Sequence, residues 1–295
     1  MKVMALLQFK NEEWILPTYL SSVCKIVDEI IAIDDGSTDN SRRIVEAAGG
    51  LVYDHDEKLI AGWPEHSLRE KLLSLGRERG GTHFICLDAD EAFTAPFHPF
   101  CRELLKTLKP GQKIYLQWLA LWKSPYNYRQ DRSVWSNNFK DFAFCDDGKA
   151  KHDYAFVGVG RTPGSNDPAN VVAVKPEFGS VLHFQFVPWD RFQMKQAWYR
   201  CIELIKTPGE AANINAKYSI TLDDPAAGTT LVPSAWLAGI EVPAGIENLP
   251  PAWHLKEIIN LFDQYGIEIF EPLQIWHISQ LMEEFQKRLG RTPIV

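Results

Sequence analysis

The sequence is poor in the features that mark disulfide-rich, membrane-spanning or nucleic-acid-binding proteins. Its five cysteines are scattered over 295 residues and form no Cys-x-x-Cys pair. A disulfide framework or a zinc site is therefore not expected, and a reducing compartment fits best. No apolar run approaches the roughly 20 residues that a membrane-spanning helix needs. The net charge of −7 at pH 7 also excludes the basic surplus that is typical of nucleic-acid-binding proteins.

The N-terminal segment does not have the pattern of a signal peptide. Three charged residues, Lys10, Glu12 and Glu13, interrupt the only early apolar run. We therefore expect a cytoplasmic protein, and a peripheral contact with a membrane stays open as an alternative. Hydrophobic residues make up 45% of the chain and charged residues 23%, which is typical of a globular protein with a substantial core.

The first 95 residues alternate between short apolar runs and segments with helical spacing of apolar residues. Predicted strands at 3–9, 29–33, 51–53 and 83–87 are separated by predicted helices at 12–23, 37–48 and 67–79. This alternation is typical of βαβ units. The expected fold is therefore of the α/β class, with a Rossmann-like, mainly parallel sheet flanked by helices. In such sheets, ligands bind at the carboxyl ends of the strands.

The pattern is less regular beyond residue 95. Further strands are predicted at 113–122 and 180–186, and helices at 189–205, 253–265 and 272–289. Residues 207–252 are rich in proline and glycine, which indicates a long irregular connection. We expect one domain over residues 1–206, with the irregular segment and the C-terminal helices of residues 207–295 packing on it.

An acidic loop, Asp88-Ala89-Asp90-Glu91, directly follows the fourth predicted strand. Residues two apart in an extended segment point to the same side, so the carboxylates of Asp88 and Asp90 would lie together. Carboxylate oxygens suit Mg²⁺ or Mn²⁺, and such an ion can bridge two phosphates and stabilise a leaving diphosphate. On its own, however, the spacing is more typical of a solvated acidic turn.

A second polar cluster, residues 34–39, follows the second predicted strand. A carboxylate there can accept the N–H of a nucleobase such as uracil, and Gly36 allows the backbone to approach a ligand closely. The alternative is an ordinary turn from strand to helix, with Ser37 or Thr38 capping the helix.

Three polar runs occur in a defined order: FKNEE at residues 9–13, DEIIAIDDGSTD at residues 28–39 and LDADE at residues 87–91. Together, in this order and spacing, they resemble glycosyltransferase family 2. The resemblance covers about residues 1–95, fades through the middle of the chain and does not reach the C-terminal helices.

This resemblance implies a GT-A-type fold, a nucleotide-sugar donor that is usually UDP-linked, and a divalent cation, Mn²⁺ or Mg²⁺. The enzyme would be a hexosyltransferase-type glycosyltransferase with a glycan or another glycoconjugate as acceptor. Residues 1–95 would form the nucleotide-sugar-binding half of the catalytic domain. Residues 96–206 would form the half that holds the acceptor and the metal.

The resemblance also assigns roles to matched residues. Asp35 would bind the nucleobase, and Asp90 would be the principal metal ligand, with Asp88 contacting the ribose or the metal shell. GT-A enzymes often add a histidine from a late strand to the metal, and His183 lies in such a strand; the alternative is an ordinary core histidine. The other expected donor-binding residues lie in the same runs and are Phe9, Asn11, Glu12 and Ala89.

Basic residues on two predicted helices are candidates for binding the diphosphate. Arg69 or Lys71 precedes the acidic loop, and Lys195 lies on a later helix that would have to pack over the donor. The alternative for each is an ordinary charge on a helix surface.

The general base is the least defined part of the expected site. In the family's usual mechanism a carboxylate deprotonates an acceptor hydroxyl, which attacks the anomeric carbon as the diphosphate leaves, so that the configuration is inverted. This sequence has no clear Glu-Asp pair at the usual distance beyond the acidic loop. The acids available in the polar middle region are Asp146, Asp147 and Asp153, and each is a candidate by position alone.

Two other functions stay open. A nucleotidyltransferase also holds Mg²⁺ with paired aspartates, but it needs an early glycine-rich loop, and residues 10–14 contain no glycine. A glycosyltransferase-like domain that binds a sugar or nucleotide without turnover would account for the missing base. The intact pair of Asp88 and Asp90 argues against that second alternative.

Overall fold

The computed structural model describes residues 1–55, 65–131, 133, 135–152, 161–164, 167–222, 228–251 and 253–294. Their contacts divide them into two compact units. The first unit holds the described residues as far as Phe186 together with Gly228–Ile246, and the second holds Val187–Leu222 and the described residues from Glu247 onward.

Strands and helices alternate through the first unit, as the sequence predicts. The strands are β1 (Val3–Phe9), β2 (Glu29–Asp34), β3 (Leu51–Asp54), β4 (His83–Ile85), β5 (Glu91–Phe93), β6 (Lys113–Ala120), β7 (Asn127–Arg129), β8 (Phe139–Cys145), β9 (Val171–Ala173), β10 (Ser180–His183) and β11 (Thr229–Leu231). The helices are α1 (Leu16–Val23), α2 (Ser41–Ala47), α3 (Glu65–Glu78) and α4 (His98–Thr107).

In the part of the chain that the structure describes, nine strands form one sheet in the order β3-β2-β1-β4-β8-β6-β10-β5, with β9 beside β6. β1 is parallel to β2 and β4, β2 to β3, and β6 to β9 and β10. β8 runs antiparallel between β4 and β6, and β5 is antiparallel to β10. The predicted α/β class, with a mainly parallel sheet flanked by helices, is therefore confirmed. β7 and β11 form a separate antiparallel pair.

The core of the first unit explains why these segments form a covered sheet. β1 is buried along nearly its whole length, as expected for a central strand with packing on both faces. α3 lies close to the sheet where Gly76 lacks a side chain, since a Cβ there would be 2.5 Å from Phe84 Cε1. α3 ends before Gly80, whose φ of 79° stops the helix.

Two helices begin later than the sequence predicts. α1 begins at Leu16, because the chain before it makes a turn in which the Glu12 carbonyl accepts the Leu16 N–H. α2 begins at Ser41, because the predicted cap Ser37 bonds to Asn11 of the neighbouring loop instead.

The second unit is helical and has its own apolar cluster. Its α-helices are α5 (Trp189–Lys206), α6 (Ala211–Lys217), α7 (His254–Tyr265) and α8 (Ser279–Leu289). The contacts group α5 with the C-terminal helices, whereas the predicted domain boundary stood after it, at residue 206. α8 starts at Ser279 rather than at residue 272, because the turns before it carry Leu273 and Trp276 into the cluster. Among the described residues, no helix is both long and apolar enough to cross a lipid bilayer.

Candidate functional site

The predicted polar clusters meet at one edge of the sheet. Phe9 at the end of β1 pairs with Asp34 at the end of β2, and the acidic loop follows parallel β4. β8 is antiparallel to both β4 and β6, so β6 and its parallel neighbour β10 end at this edge too. The fold therefore brings Asp35, the acidic loop and His183 to the edge where α/β sheets bind ligands.

Asn11 joins the loops that follow β1 and β2. Its backbone N–H donates to Ser37 Oγ at 3.0 Å, and its side-chain oxygen accepts the Thr38 N–H at 2.7 Å. Glu12 adds a third link, because its N–H donates to Ser41 Oγ at 2.8 Å. Asn11 has a φ of 54°, a left-handed conformation that asparagine adopts more readily than most residues. Asn11 and Glu12 thus shape the loops beside Asp35.

Asp35 is buried, and one of its carboxylate oxygens accepts no hydrogen bond from the described residues. Its Oδ1 lies 2.7 Å from His55 Nδ1, and Lys10 Nζ is 3.9 Å from its Oδ2. Within the part of the chain that the structure describes, Oδ2 is buried and has no hydrogen-bond partner. Burial raises the pKa of Asp35, although the hydrogen bond from His55 opposes the rise. A buried acceptor in this condition is suited to an N–H group of a ligand.

Asp88 is held by two arginines. Arg69 NH2 lies 3.1 Å from its Oδ1, and Arg161 NH1 lies 3.0 Å from its Oδ2. Although burial opposes ionisation, Arg161 and Arg69 hold the pKa of the Asp88 carboxyl well below its usual range. Asp88 is therefore paired with two arginines that the sequence analysis did not assign to it.

Glu91 holds the acidic loop in place through several hydrogen bonds. Its carboxylate is fully buried and accepts two bonds from Arg161, at 2.6 and 2.7 Å, and one from Trp118 Nε1 at 2.6 Å. It also accepts the Asp88 N–H at 2.9 Å, which closes the loop. Glu91 is thus bound from several directions and serves to position the loop.

Asp90 and His183 form the next pair at this edge. His183 Nε2 lies 3.5 Å from Asp90 Oδ2, and the Phe184 N–H donates to the Asp90 carbonyl at 2.9 Å. The imidazole stacks on the Trp118 indole, with the ring centroids 4.2 Å apart. β10, Trp118 and the Asp90 backbone therefore hold the two side chains together.

This pair fits a divalent cation as part of a larger set of ligands. One carboxylate oxygen and one imidazole nitrogen are suitable for Mn²⁺. Within the described residues, no group of three His, Cys, Asp or Glu side chains converges on one point. The predicted third ligand, Asp88, is bound to its arginines instead. A cation here would therefore need oxygens from a bound ligand to complete its coordination.

Two of the three predicted general bases do not lie at this edge. β8 is antiparallel to β4 with Cys145 opposite His83, and the Asp146 N–H donates to the Thr82 carbonyl, so Asp146 and Asp147 lie where β4 begins. Asp146 forms a two-pronged pair with Arg77, and Asp147 accepts backbone N–H groups of its own turn. This placement is a correction to both predictions. Asp153 lies outside the described residues.

The structure also places four further residues that the sequence analysis predicted for donor binding. Phe9 is 2% exposed and packs in the hydrophobic core, so its side chain is part of the core. Arg69 is directed to Asp88, with Ala89 buried next to it in the loop. Lys195 lies on α5 in the second unit, and its contact with a phosphate stays a prediction.

Sequence reasoning missed three residues of this site: His55, Trp118 and Arg161. His55 follows β3 with no motif around it, and Trp118 is one of ten tryptophans. Arg161 stands in the glycine-rich run 157–164, which does not match a dinucleotide-binding fingerprint because Pro163 replaces its last glycine. A buried acid such as Glu91 requires a cation, but the burial of Glu91 is visible only in the structure, so the sequence held no signal for Arg161.

Solved structures similar to this chain include glucosyl-3-phosphoglycerate synthase from Mycobacterium tuberculosis. Its complex with Mn²⁺, UDP-glucose and phosphoglyceric acid has a TM-score of 0.30 and 19% identity, covering 40% of this chain and 44% of that one. A structure described as a mycobacterial protein has a TM-score of 0.30 and 22% identity, covering 40% of each chain. The matches thus span less than half of those proteins. No curated protein sequence matches this one.

A family model described as glycosyl transferase family 2 matches residues 6–156. The matched segment is just over half of the chain and contains the loops after β1, β2 and β4. It therefore includes the three runs that carry the resemblance and supports the GT-A-type assignment made from them. The chain belongs to glycosyl transferase family 2.

Proposed function

We propose that this protein is a glycosyltransferase that moves a sugar from a UDP-type nucleotide sugar to an acceptor with the help of a divalent cation. The observation that carries the proposal is the buried Oδ2 of Asp35, which accepts no hydrogen bond from the described residues and lies at the same sheet edge as the Asp90–His183 pair. One acceptor for a base N–H and one cation site are the two elements that a nucleoside diphosphate requires.

Asp35 would bind the nucleobase of the nucleotide-sugar donor. Its Oδ2 would accept the ring N–H of uracil, while His55 holds the other oxygen and so fixes the orientation of the carboxylate. The side chain of Asp88 is 34% exposed. Its position in the acidic loop suits contact with a ribose hydroxyl. We therefore favour the ribose role for Asp88 over the metal role.

The diphosphate end would be held at Asp90 and His183. A cation bound to them would neutralise the charge that develops on the leaving diphosphate. Of the three predicted bases, Asp153 is the one that remains a candidate for deprotonating the acceptor hydroxyl. We also propose that the configuration at the anomeric carbon is inverted, as in the family's usual mechanism.

The deciding experiment is release of UDP from UDP-glucose, UDP-galactose and UDP-N-acetylglucosamine with Mn²⁺ or with EDTA. We expect metal-dependent release of UDP from at least one donor, with water taking the sugar. Saturable binding of UDP without any release would favour the non-catalytic alternative. Formation of UTP and a sugar 1-phosphate on adding pyrophosphate would favour the nucleotidyltransferase.

A further inference from the structure

We infer that Lys140 forms a subsite for an anionic oxygen group, a carboxylate or a phosphate, on the acceptor. This inference rests on the proposed function, because it names a substrate class for the same site. It is carried by the charges and the stacking around Lys140 on β8.

Lys140 lies near the start of β8, at the same sheet edge as the acidic loop and His183. It pairs with Leu116 on β6. Its Nζ is 3.6 Å from the ring centroid of Trp118, the indole that also stacks on His183. Lys140 comes from β8 on one side of β6 and His183 from β10 on the other. The indole therefore separates the ammonium group from the Asp90–His183 pair.

The other cations around the acidic loop and along β6 already have carboxylates. Arg161 binds Asp88 and Glu91, and Arg69 binds Asp88. Lys113 lies 3.7 Å from Asp141, although burial lowers the pKa of its amine. Among the described residues, no carboxylate lies within ion-pair distance of Lys140. Lys140 is thus the cation of this cluster that a bound anion would complete.

The surroundings of Lys140 favour an anion rather than continued exposure to water. Burial lowers the pKa of its amine and the positive charge of Arg161 lowers it further, although the more distant carboxylates of Glu91, Asp88 and Asp141 offset part of this shift. An opposite charge placed within a few ångströms would reverse both effects, because it stabilises the ammonium form. Trp118 would support the apolar part of the same ligand, as aromatic rings do in carbohydrate and small-molecule sites.

The position of Trp118 assigns this anion to the acceptor rather than to the donor. A diphosphate held at Asp90 and His183 would lie on the far side of the indole from Lys140. A second anion is therefore needed to reach the ammonium group. An acceptor with a carboxylate or phosphate near its reactive hydroxyl meets that need.

The test measures protection of Lys140 from acetylation by acetic anhydride, read by peptide mass spectrometry of the whole protein. Methyl phosphate and acetate are the probes, each added with EDTA and again with saturating UDP and Mn²⁺. Lys149, an exposed lysine beyond the other end of β8, is the internal control. We expect at least about fivefold slower acetylation of Lys140 with the better probe and no change at Lys149. The stronger of the two probes identifies the anionic group.

The samples with UDP and Mn²⁺ distinguish an acceptor subsite from a donor subsite. We expect protection by the probe to persist when UDP and Mn²⁺ are bound. If UDP alone protects Lys140 and removes the effect of the probe, Lys140 serves the donor and the inference is wrong. Equal acetylation of Lys140 with and without either probe would also overturn it.

Variants provide a readout in turnover. The control Lys149→Gln should hydrolyse the donor found in the UDP-release screen at the wild-type rate. A tenfold fall in hydrolysis with Lys140→Gln would place the residue in donor binding and contradict the inference. If the wild type hydrolyses no donor, the proposed function fails, while protection by methyl phosphate or acetate still decides whether the subsite exists.

Discussion

Arg161 donates to both oxygens of the Glu91 carboxylate, at 2.6 and 2.7 Å, although 70 residues separate the two in the chain. Both side chains are buried. The segment that carries Arg161 is itself fastened, because Thr162 donates to Asp141 and Lys113 donates to the Gly164 carbonyl at 3.1 Å. The acidic loop is therefore held by a strand and a loop that follow it in the sequence.

Loss of one partner of this pair should destabilise the protein strongly. Arg161→Gln leaves Glu91 as a buried carboxylate without its cation, which costs about 3–5 kcal/mol. Urea denaturation measures the loss. The double variant Arg161→Gln with Glu91→Gln should recover part of the stability, and Arg288→Gln, in a more exposed ion pair, is the control. A loss below about 1 kcal/mol would mean that solvent reaches the pair.

Asp90→Ala should abolish metal-dependent release of UDP while the protein stays folded. The side chain stands in a loop outside the apolar core, so its removal should shift the melting temperature by only a few degrees, roughly what a loss of about 1 kcal/mol produces. Asp147→Ala, at the opposite edge of the sheet, is the matched control and should retain activity. Full activity of Asp90→Ala across a Mn²⁺ titration would rule out Asp90 as a ligand.

His183→Ala should weaken Mn²⁺ binding by at least about tenfold, because loss of a ligand should cost no less than loss of an outer partner of a ligand. It should also lower the melting temperature, because the imidazole packs against Trp118. Trp118→Phe separates the two effects, since it keeps the imidazole but removes the hydrogen bond to Glu91. It should lower the melting temperature and leave Mn²⁺ affinity nearly unchanged. Unchanged Mn²⁺ affinity in His183→Ala would make His183 a core residue.

Asp35→Asn should raise the KM for the donor by about tenfold or more and leave kcat nearly unchanged. A bond to the nucleobase contributes equally in the ground state and the transition state, so its loss weakens binding without slowing the chemical step. Steady-state kinetics with varied donor concentration measures both constants. A hundredfold fall in kcat at constant KM would assign Asp35 to the chemical step instead.

The same substitution should stabilise the protein without ligand at alkaline pH. Burial raises the pKa of Asp35 in the folded state above its ordinary value, so the folded state disfavours the ionised form. Stability is thus lost as pH rises from the ordinary carboxyl range through the raised pKa. We expect Asp35→Asn to melt at a higher temperature than the wild type at pH 8, and the difference to shrink at pH 4.5. A constant difference between these pH values would contradict the expectation.

The sequence determined the parts of this protein that depend on local pattern. Alternating apolar and helical segments predicted strands at β1, β2 and β4, and the residues just after them, such as Asp35 and Asp90, had to reach one edge. Parallel strands with helical crossovers always place their carboxyl ends together, so local order along the chain was sufficient. For the same reason, the family could be identified from three short runs in the first 95 residues.

Only the tertiary structure decided which residues surround those motifs. By sequence position, Asp146 was as good a candidate for the general base as Asp147 or Asp153. However, β8 runs antiparallel to β4 and places Asp146 at the opposite edge of the sheet. Arg161 and Lys140 became part of the site through pairing between distant segments, which leaves no periodic signal in the sequence. The physical reason is that strand direction and long-range charge pairing depend on the whole sheet, whereas hydrophobic periodicity depends on neighbouring residues alone.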